Sequence, residues 1–410
     1  MLLLAAPGQG AQAPGFLGEW LELPGFADRL GTLSELAGCD LIRCGTTADA
    51  EEIRDTAIAQ PLLVAAAVTA AAELLGGADQ ADELADAALA AGVGATAGHS
   101  VGELAAGAIA GTLSAEDAVR LVRVRGQAMA QAAAAEATGM TAVLGGDEQD
   151  VLAAIEAHGL TAANVNGAGQ IVAAGTLDQL AAFAADPPPR ARLRPLSVAG
   201  AFHTSHMAPA VDALRAAADG MAVRSPALAL LSNRDGALVR SGDDWMERIV
   251  TQVSAPVRWD RCMQAMADLG VTALIELPPA GTLTGLARRA LPGVQTVALK
   301  TPGDLEQARA MLAAEHEVGQ DSHTPDWRLI VAPLAGTFRA AQGPATPGAA
   351  VGVGTELGHV EMRGTSHAIS PGFPATIIEW LVEDGDPVTA GQPLVRLEPA
   401  VTAGAVGGWQ

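Results

Sequence analysis

Ser100 stands in Gly98-His99-Ser100-Val101-Gly102-Glu103, a G-x-S-x-G spacing that can carry a nucleophile on a sharp strand-to-helix turn. An apolar run, Leu89 to Ala97, leads into it, and an alanine-rich helical pattern, Glu103 to Ala110, leads out. A serine at such a turn is strained. Its neighbours two positions to either side must be small, so Gly98 and Gly102 have a steric reason. The outgoing helix would point its free N–H groups and positive dipole end at an oxyanion formed there. Taken alone, the spacing also fits a glycine-rich turn with an incidental serine.

Three further stretches carry groups that such chemistry needs. Pro7-Gly8-Gln9-Gly10 follows a first buried strand at residues 2–6. Its backbone N–H groups lie where open α/β sheets hold ligands, so it reads either as a second oxyanion donor or as a plain β-turn. Ser114 caps a helix expected over about Ala115–Ala135, with Glu116 and Asp117 in its first turn. Ala118, Val122 and Met129 form that helix's apolar stripe. Arg125 lies on it, three residues past Val122, whereas Arg120 and Arg123 do not. A guanidinium on a buried face needs an anion. That anion is either an internal carboxylate or a substrate carboxylate gripped in bidentate fashion. In Gly200-Ala201-Phe202-His203-Thr204-Ser205-His206-Met207, His203 precedes a helix expected at roughly Thr204–Ala218. A histidine there can project over a cleft as general base; a surface or capping role is the alternative for either histidine.

The elements that must position these groups form an α/β body with a mostly parallel sheet. Helical patterns fall at Phe16–Gly31 and Ala59–Leu75, then at Trp245–Thr251 and Thr282–Leu291. Buried strands fall at Leu228–Leu231, Val271–Leu277 and Gln295–Leu299. From about 138 to 199 the pattern shortens to βαββαβ, a ferredoxin-like unit inserted in the larger domain. Residues 303–325 read as a polar, partly helical linker. Beyond it, Gly348, Val351, Gly354, Leu357, Val360 and Glu361 recur as Gly385, Val388, Gly391, Leu394, Leu397 and Glu398, 37 residues later. Upstream, Val331-Ala332-Pro333 matches Ile369-Ser370-Pro371. Short strands repeated twice argue a small all-β flattened barrel of two interlocked halves over about 326–400, with a flexible tail at 401–410.

Composition narrows the function classes. With 410 residues the chain has room for two or three domains. No run reaches the roughly 18 uninterrupted apolar residues of a membrane span, and the apolar start lacks the basic region of a signal peptide. A cytoplasmic protein without membrane attachment is expected. Cys39, Cys44 and Cys262 are too few for a disulfide framework, and no His or Cys stands near them at zinc-ligand spacing; reduced thiols and no metal are expected. The net charge of −22 argues against nucleic acid. An acidic partner would need a local basic patch. The candidates are Arg120 and Arg123; Arg190, Arg192 and Arg194; and Arg288 and Arg289. The only lysine in the chain is Lys300.

The body, about residues 1–302, resembles the malonyl-CoA:acyl carrier protein transacylase family. The likeness rests on the stretches at 7–10, 98–103 and 200–203, on Arg125-Gly126 and on Asn164-Val165-Asn166. It also rests on Gln252 before Pro256-Val257-Arg258-Trp259. The resemblance implies a hydrolase-like large subdomain with the ferredoxin-like insert. It implies that Ser100 attacks a malonyl thioester while His203 takes the serine proton and returns it to the leaving thiolate. Backbone N–H groups of Gln9 and Val101 would hold the oxyanion, and Arg125 would pair with the free malonyl carboxylate. Gln252 would orient His203 through its backbone carbonyl, and His99 and Asn166 would complete the substrate site. Malonyl would pass from coenzyme A to Ser100 and then to the phosphopantetheine thiol of acyl carrier protein, for fatty acid or polyketide synthesis. The Gly-Ala-Phe-His form is similar to malonyl-type rather than methylmalonyl-type motifs. A trans-acting polyketide acyltransferase with another extender unit, and a thioester hydrolase, are the alternatives. Pro278-Pro279-Ala280-Gly281 departs from the family's glycine-richer loop.

The tail resembles biotinyl/lipoyl attachment domains in Pro333-Leu334-Ala335-Gly336-Thr337 and in the run from Val382 to Val388. Where such domains display Met-Lys, this chain reads Glu361-Met362-Arg363-Gly364. Arginine cannot form the amide, so neither biotin nor lipoate is expected. A docking module for a synthase or carboxylase subunit, or a passive appendage, remains for the tail.

Overall fold

The apolar start, Leu2–Ala6, forms strand β1, every residue of it buried. In the computed structural model, residues 1–77, 81–321, 328–341, 346–352, 354–362, 365–371 and 374–399 are described. They divide between two units, Met1–Gly319 and Gln320–Gln410. Among the described residues, ten strands belong to the first unit. After β1 come β2 (Val93–Gly98), β3 (Thr138–Gly145), β4 (Thr161–Gly167), β5 (Gln170–Thr176) and β6 (Ala191–Pro195). They are followed by β7 (Ala229–Leu230), β8 (Val257–Arg258), β9 (Ala273–Glu276) and β10 (Gln295–Ala298).

β1 lies at the middle of a five-stranded sheet ordered β10-β9-β1-β2-β7, in which each pairing is parallel. A sheet covered on both faces explains why its strands read as unbroken apolar runs. The register pairs Ala6 with Gly98. The turn after β1 and the elbow after β2 therefore leave the carboxyl edge side by side. Ser232 and Asn233, just past β7, arrive at the same edge, since Leu231 N–H donates to Thr96 O at 3.1 Å.

The inserted unit is a second sheet ordered β6-β3-β5-β4, antiparallel throughout, with helices Glu148–Ala157 and Leu177–Ala185 between its strands. A strand from outside it, β8, adds parallel to β4 and pairs Asn164 with Val257. That fifth strand is too short to register as a strand pattern in the sequence.

Several element boundaries differ from expectation. Only the end of the 89–97 run is strand, because Ala81–Ala90 is helical. The helix expected at Phe16–Gly31 is a 3-10 turn at Glu19–Glu22 followed by a helix Pro24–Ala37; Pro24 takes the first helical position, where its missing N–H costs nothing. The helix after His203 begins as a 3-10 turn, Ser205–Met207, before Ala208–Ala218. The stretch expected to be linker carries a helix, Leu305–Asp321, and Leu305, Ala308 and Leu312 are buried in the first unit's core. Residues 303–319 thus belong to the body. The Thr56–Leu74 helix is long and apolar enough to cross a membrane, but nearly all of it is buried in the same core. The proline-containing loop at 278–281 is fixed by the buried Glu276 carboxylate. It accepts from the N–H groups of Gly281 (2.8 Å), Leu283 (2.9 Å) and Thr284 (2.8 Å).

The second unit holds β11 (Arg328–Val331), β12 (Gly336–Ala340), β13 (Ala350–Val351) and β14 (Gly358–Met362). They are followed by β15 (Thr365–Ile369), β16 (Ala375–Trp380), β17 (Pro387–Val388) and β18 (Pro393–Pro399). Two four-stranded antiparallel sheets result, β11-β18-β16-β13 and β15-β14-β12-β17, each drawing two strands from either half of the repeat. Repeat partners share geometry: Gly348 and Gly385 have φ of +87° and +96°, Gly354 and Gly391 of +74° and +82°. Val351, Leu357 and Val360 are buried, as are their counterparts Val388, Leu394 and Leu397. Arg363 and Gly364 of the tip, and residues 401–410, lie outside the described residues.

Candidate active site

Ser100 holds a φ of +53°, in the left-handed region that costs a residue with a Cβ free energy. The backbone around it explains how that is tolerated. A Cβ on Gly98 would lie 2.0 Å from the Gly102 carbonyl, and one on Gly102 would lie 2.3 Å from Ala6 O. Only glycine permits so close a turn. His99 N–H donates to Ala6 O at 2.9 Å. The Asn233 side chain clasps the turn: its Oδ1 accepts from Ser100 N–H at 2.6 Å and its Nδ2 donates to Gly98 O at 2.7 Å.

His203 also has positive φ, +62°. Its Nε2 lies 2.7 Å from Ser100 Oγ and its Nδ1 lies 2.9 Å from Gln252 O. A carbonyl can only accept, so Nδ1 carries the proton and Nε2 is free to accept from the serine hydroxyl. Burial, with the Arg125 charge behind it, pushes the imidazole down to about 3, so it is neutral near pH 7. The second histidine of the stretch stands elsewhere, with His206 Nδ1 2.8 Å from Glu136 Oε2.

The stripe of the Ala115–Ala135 helix places Arg125 at 1 % exposure. Its Nη1 donates to Gln60 Oε1 at 2.7 Å, and its Nη2 donates to Gln252 Oε1 at 2.7 Å and to Ser100 Oγ at 3.3 Å. Among the described residues no carboxylate stands within ion-pair distance of it, and its Nε has no partner. A direct internal ion pair is thus not made. Burial lowers this guanidinium to about 10, against the pull of Glu103. Glu103, 2 % exposed, is reached only through Gln252, whose Nε2 donates to Glu103 Oε2 and, at 3.1 Å, to Ser100 O.

The remaining sequence candidates gather around the same elbow. A Cβ on Gly8 would lie 2.7 Å from His99 O and 2.9 Å from His99 Nδ1, so the Pro7–Gly10 turn packs directly on it. The Gln9 side chain donates to Thr56 Oγ1 at 3.2 Å, while among the described residues the backbone N–H groups of Gln9 and Val101 have no hydrogen-bond partner. His99 Nε2 donates to Asn166 Oδ1 at 2.8 Å, and burial lowers the His99 imidazole.

Sequence reasoning missed three residues here. Gln60 is a buried polar side chain in the largely apolar Thr56–Leu74 helix, a signal that was readable. Glu103 lies inside the motif, yet its partners are distant in sequence. Asn233 lies just past a strand and looks like a turn residue. Of the arginines proposed as a basic patch, Arg190, Arg192 and Arg289 line one surface cavity of about 460 Å³, together with Gly145, Gly169 and Gln170. Arg288 instead donates to Thr296 Oγ1 at 2.9 Å.

Residues 6–313 match the acyl transferase domain family. A malonyl CoA-acyl carrier protein transacylase of Mycobacterium tuberculosis is 52% identical over 308 residues, 75% of this chain and 99% of the relative. The crystal structure of the M. tuberculosis MCAT covers 75% of this chain and 99% of its own, with a TM-score of 0.70 and 52% identity. A type II PKS acyl-carrier protein in complex with its malonyl-transacylase matches with a TM-score of 0.67 at 27% identity, covering 76% of this chain and 99% of that one. The tail lies beyond the family match. With most of its body aligned end to end at such identity, the chain belongs to the malonyl-CoA–acyl carrier protein transacylase family of acyl transferase domains.

Proposed function

We propose that the chain transfers malonyl from malonyl-CoA to the phosphopantetheine thiol of acyl carrier protein through a malonyl-Ser100 ester. One observation carries this: a buried guanidinium without a carboxylate partner stands 3.3 Å from a serine hydroxyl held by a neutral histidine. A thioester bearing a free carboxylate at that distance from its carbonyl supplies the missing anion.

His203 Nε2 takes the proton as Ser100 Oγ attacks the thioester carbonyl. The unpaired N–H groups of Gln9 and Val101 donate to the carbonyl oxygen as negative charge develops on it. The imidazolium is stabilised at Nδ1 by Gln252 O, so no acidic third member is needed. Collapse expels coenzyme A thiolate, which receives the proton from His203. The carrier's thiol then enters, gives its proton to His203 and takes the malonyl group in the reverse sense. Arg125, flanked by its two glutamines, selects a substrate with a carboxylate. His99 and Asn166 shape the approach to the elbow. A general esterase would have no use for the buried cation.

The reaction requires no cofactor beyond its two thiol carriers, and it supplies malonyl units for fatty acid or polyketide synthesis in the cytoplasm. The cavity lined by Arg190, Arg192 and Arg289 is the natural landing face for an acidic carrier protein on an enzyme otherwise strongly negative. The inserted βαββαβ unit is ferredoxin-like and the body around it hydrolase-like. The tail is a flattened barrel of the biotinyl/lipoyl type that carries neither group and serves as a docking module for a synthase or carboxylase subunit. Ser100→Ala tests the core of the proposal: stable acyl-enzyme from labelled malonyl-CoA should vanish, and labelling that persists would refute it.

A further inference from the structure

Glu103 is a buried carboxylate that the steps above do not use. We propose that Glu103 is a positioning residue for substrate selection: its carboxylate sets the orientation of the Gln252 side-chain amide and thereby aims Arg125 at the acyl group on Ser100. This inference rests on the malonyl-transfer reading.

An amide has one donating end and one accepting end. The donating end of Gln252 meets Ser100 O at 3.1 Å and Glu103 Oε2; the carbonyl, and the carboxylate when ionised, can only accept. Its accepting end is thereby turned to Arg125 Nη2 at 2.7 Å. Were the amide reversed, its NH₂ would face the guanidinium donor to donor. The backbone carbonyl of Ser100 is a neutral acceptor; the carboxylate is the stronger one and decides the orientation. The other oxygen of Glu103 accepts from Asn233 N–H at 2.7 Å. Asn233 in turn holds Ser100 N–H and Gly98 O. One carboxylate therefore ties the nucleophile's turn to the substrate clamp.

The location argues against a packing role. Glu103 is 2 % exposed, and burial raises its carboxyl to about 7. An apolar side chain would fill the same place without that cost. Glutamine cannot substitute silently. It offers one acceptor oxygen where Glu103 uses two, so either Asn233 or Gln252 loses its bond.

The test measures acylation of the full chain by labelled malonyl-CoA and acetyl-CoA separately, at a pH of about 8, above the raised Glu103 carboxyl, so that it is ionised. The variants are Glu103→Gln, Glu103→Asp, Gln252→Ala and Glu103→Gln with Gln252→Ala. The malonyl:acetyl ratio should fall about tenfold in Glu103→Gln, the size expected for one charge-assisted bond. Glu103→Asp, still an anion, should recover part of the ratio. The double variant should be no less selective than Gln252→Ala alone, because the two act in series. Equal loss of malonyl and acetyl acylation with an unchanged ratio, or additive effects in the double variant, would overturn the proposal. If Glu103→Gln does not fold, Gln252→Ala and Glu103→Asp decide: an unchanged ratio in both overturns it. Absence of acylation in the unaltered enzyme would instead refute the malonyl-transfer reading itself.

Discussion

Arg125 Nη2 lies 3.3 Å from Ser100 Oγ, which puts a fixed positive charge within hydrogen-bonding reach of the nucleophile. In a malonyl thioester the carboxylate is one methylene from the reacting carbonyl. A cation at this distance can hold the one while the serine attacks the other.

Replacing Arg125 by Ala should therefore change what is transferred more than whether transfer occurs. A hydrogen bond to a charged group contributes about 1.5–3 kcal/mol, so malonyl acylation should fall by about 10- to 150-fold. Acetyl acylation should fall far less. Single-turnover acylation with both thioesters measures the ratio, and an unchanged malonyl preference would refute the clamp.

His203 should leave a distinctive pH profile. Its native value is depressed from 6.5 to about 3, so below pH 6.5 the unfolded chain takes up a proton that the native state refuses. Its contribution to stability is complete above pH 6.5 and is lost as pH falls toward 3. Over that window the native imidazole stays neutral and competent as a base. Acetyl acylation of Ser100, which does not call on the Arg125 clamp, should hold its rate down to about pH 5, whereas a rate that halves near 6.5 would contradict a buried neutral base. His203→Ala should lower acylation by about 10²–10⁴.

Gly98→Ala should fail for steric reasons, since its Cβ would fall 2.0 Å from the Gly102 carbonyl. Overpacking of this kind costs about 1–3 kcal/mol or more, here against backbone that cannot yield. A lowered melting temperature together with lost acylation is expected. Gly10 has a φ of +100° and open space, with nothing within 4 Å of the position a Cβ would take. It should respond to alanine through backbone strain alone.

Charge reversal at Arg190 and Arg192 should separate the two half-reactions. Transfer from malonyl-Ser100 to carrier protein should weaken roughly tenfold and become less salt-sensitive, while acylation from malonyl-CoA is spared. Stopped-flow measurement of each half-reaction decides; equal loss in both would sink the docking role.

Much of this site was legible because its logic is local. Ser100 sits between two glycines that only close packing explains. Arg125 stands out by its place on an apolar stripe, and it is buried there. Glu103 and Asn233 were not legible as a pair, because 130 residues separate them and only the sheet order brings the ends of β2 and β7 together. The 303–325 stretch misled because the described part of its helix buries a narrow edge. Leu305, Ala308 and Leu312 form that edge at helical spacing, amid residues polar enough to suggest a linker. In the tail the 37-residue repeat was plain, since equivalent glycines adopt equivalent positive φ. How strands of the two halves exchange between sheets required the pairing itself.

The most direct measurement incubates the enzyme with labelled malonyl-CoA, isolates the protein, locates the label by peptide mapping and then adds phosphopantetheinylated carrier protein. The expected result is label on the peptide containing Ser100, followed by its quantitative passage to the carrier thiol. Absence of label on Ser100, or label released to water rather than to carrier protein, would contradict malonyl transfer as the activity of this chain.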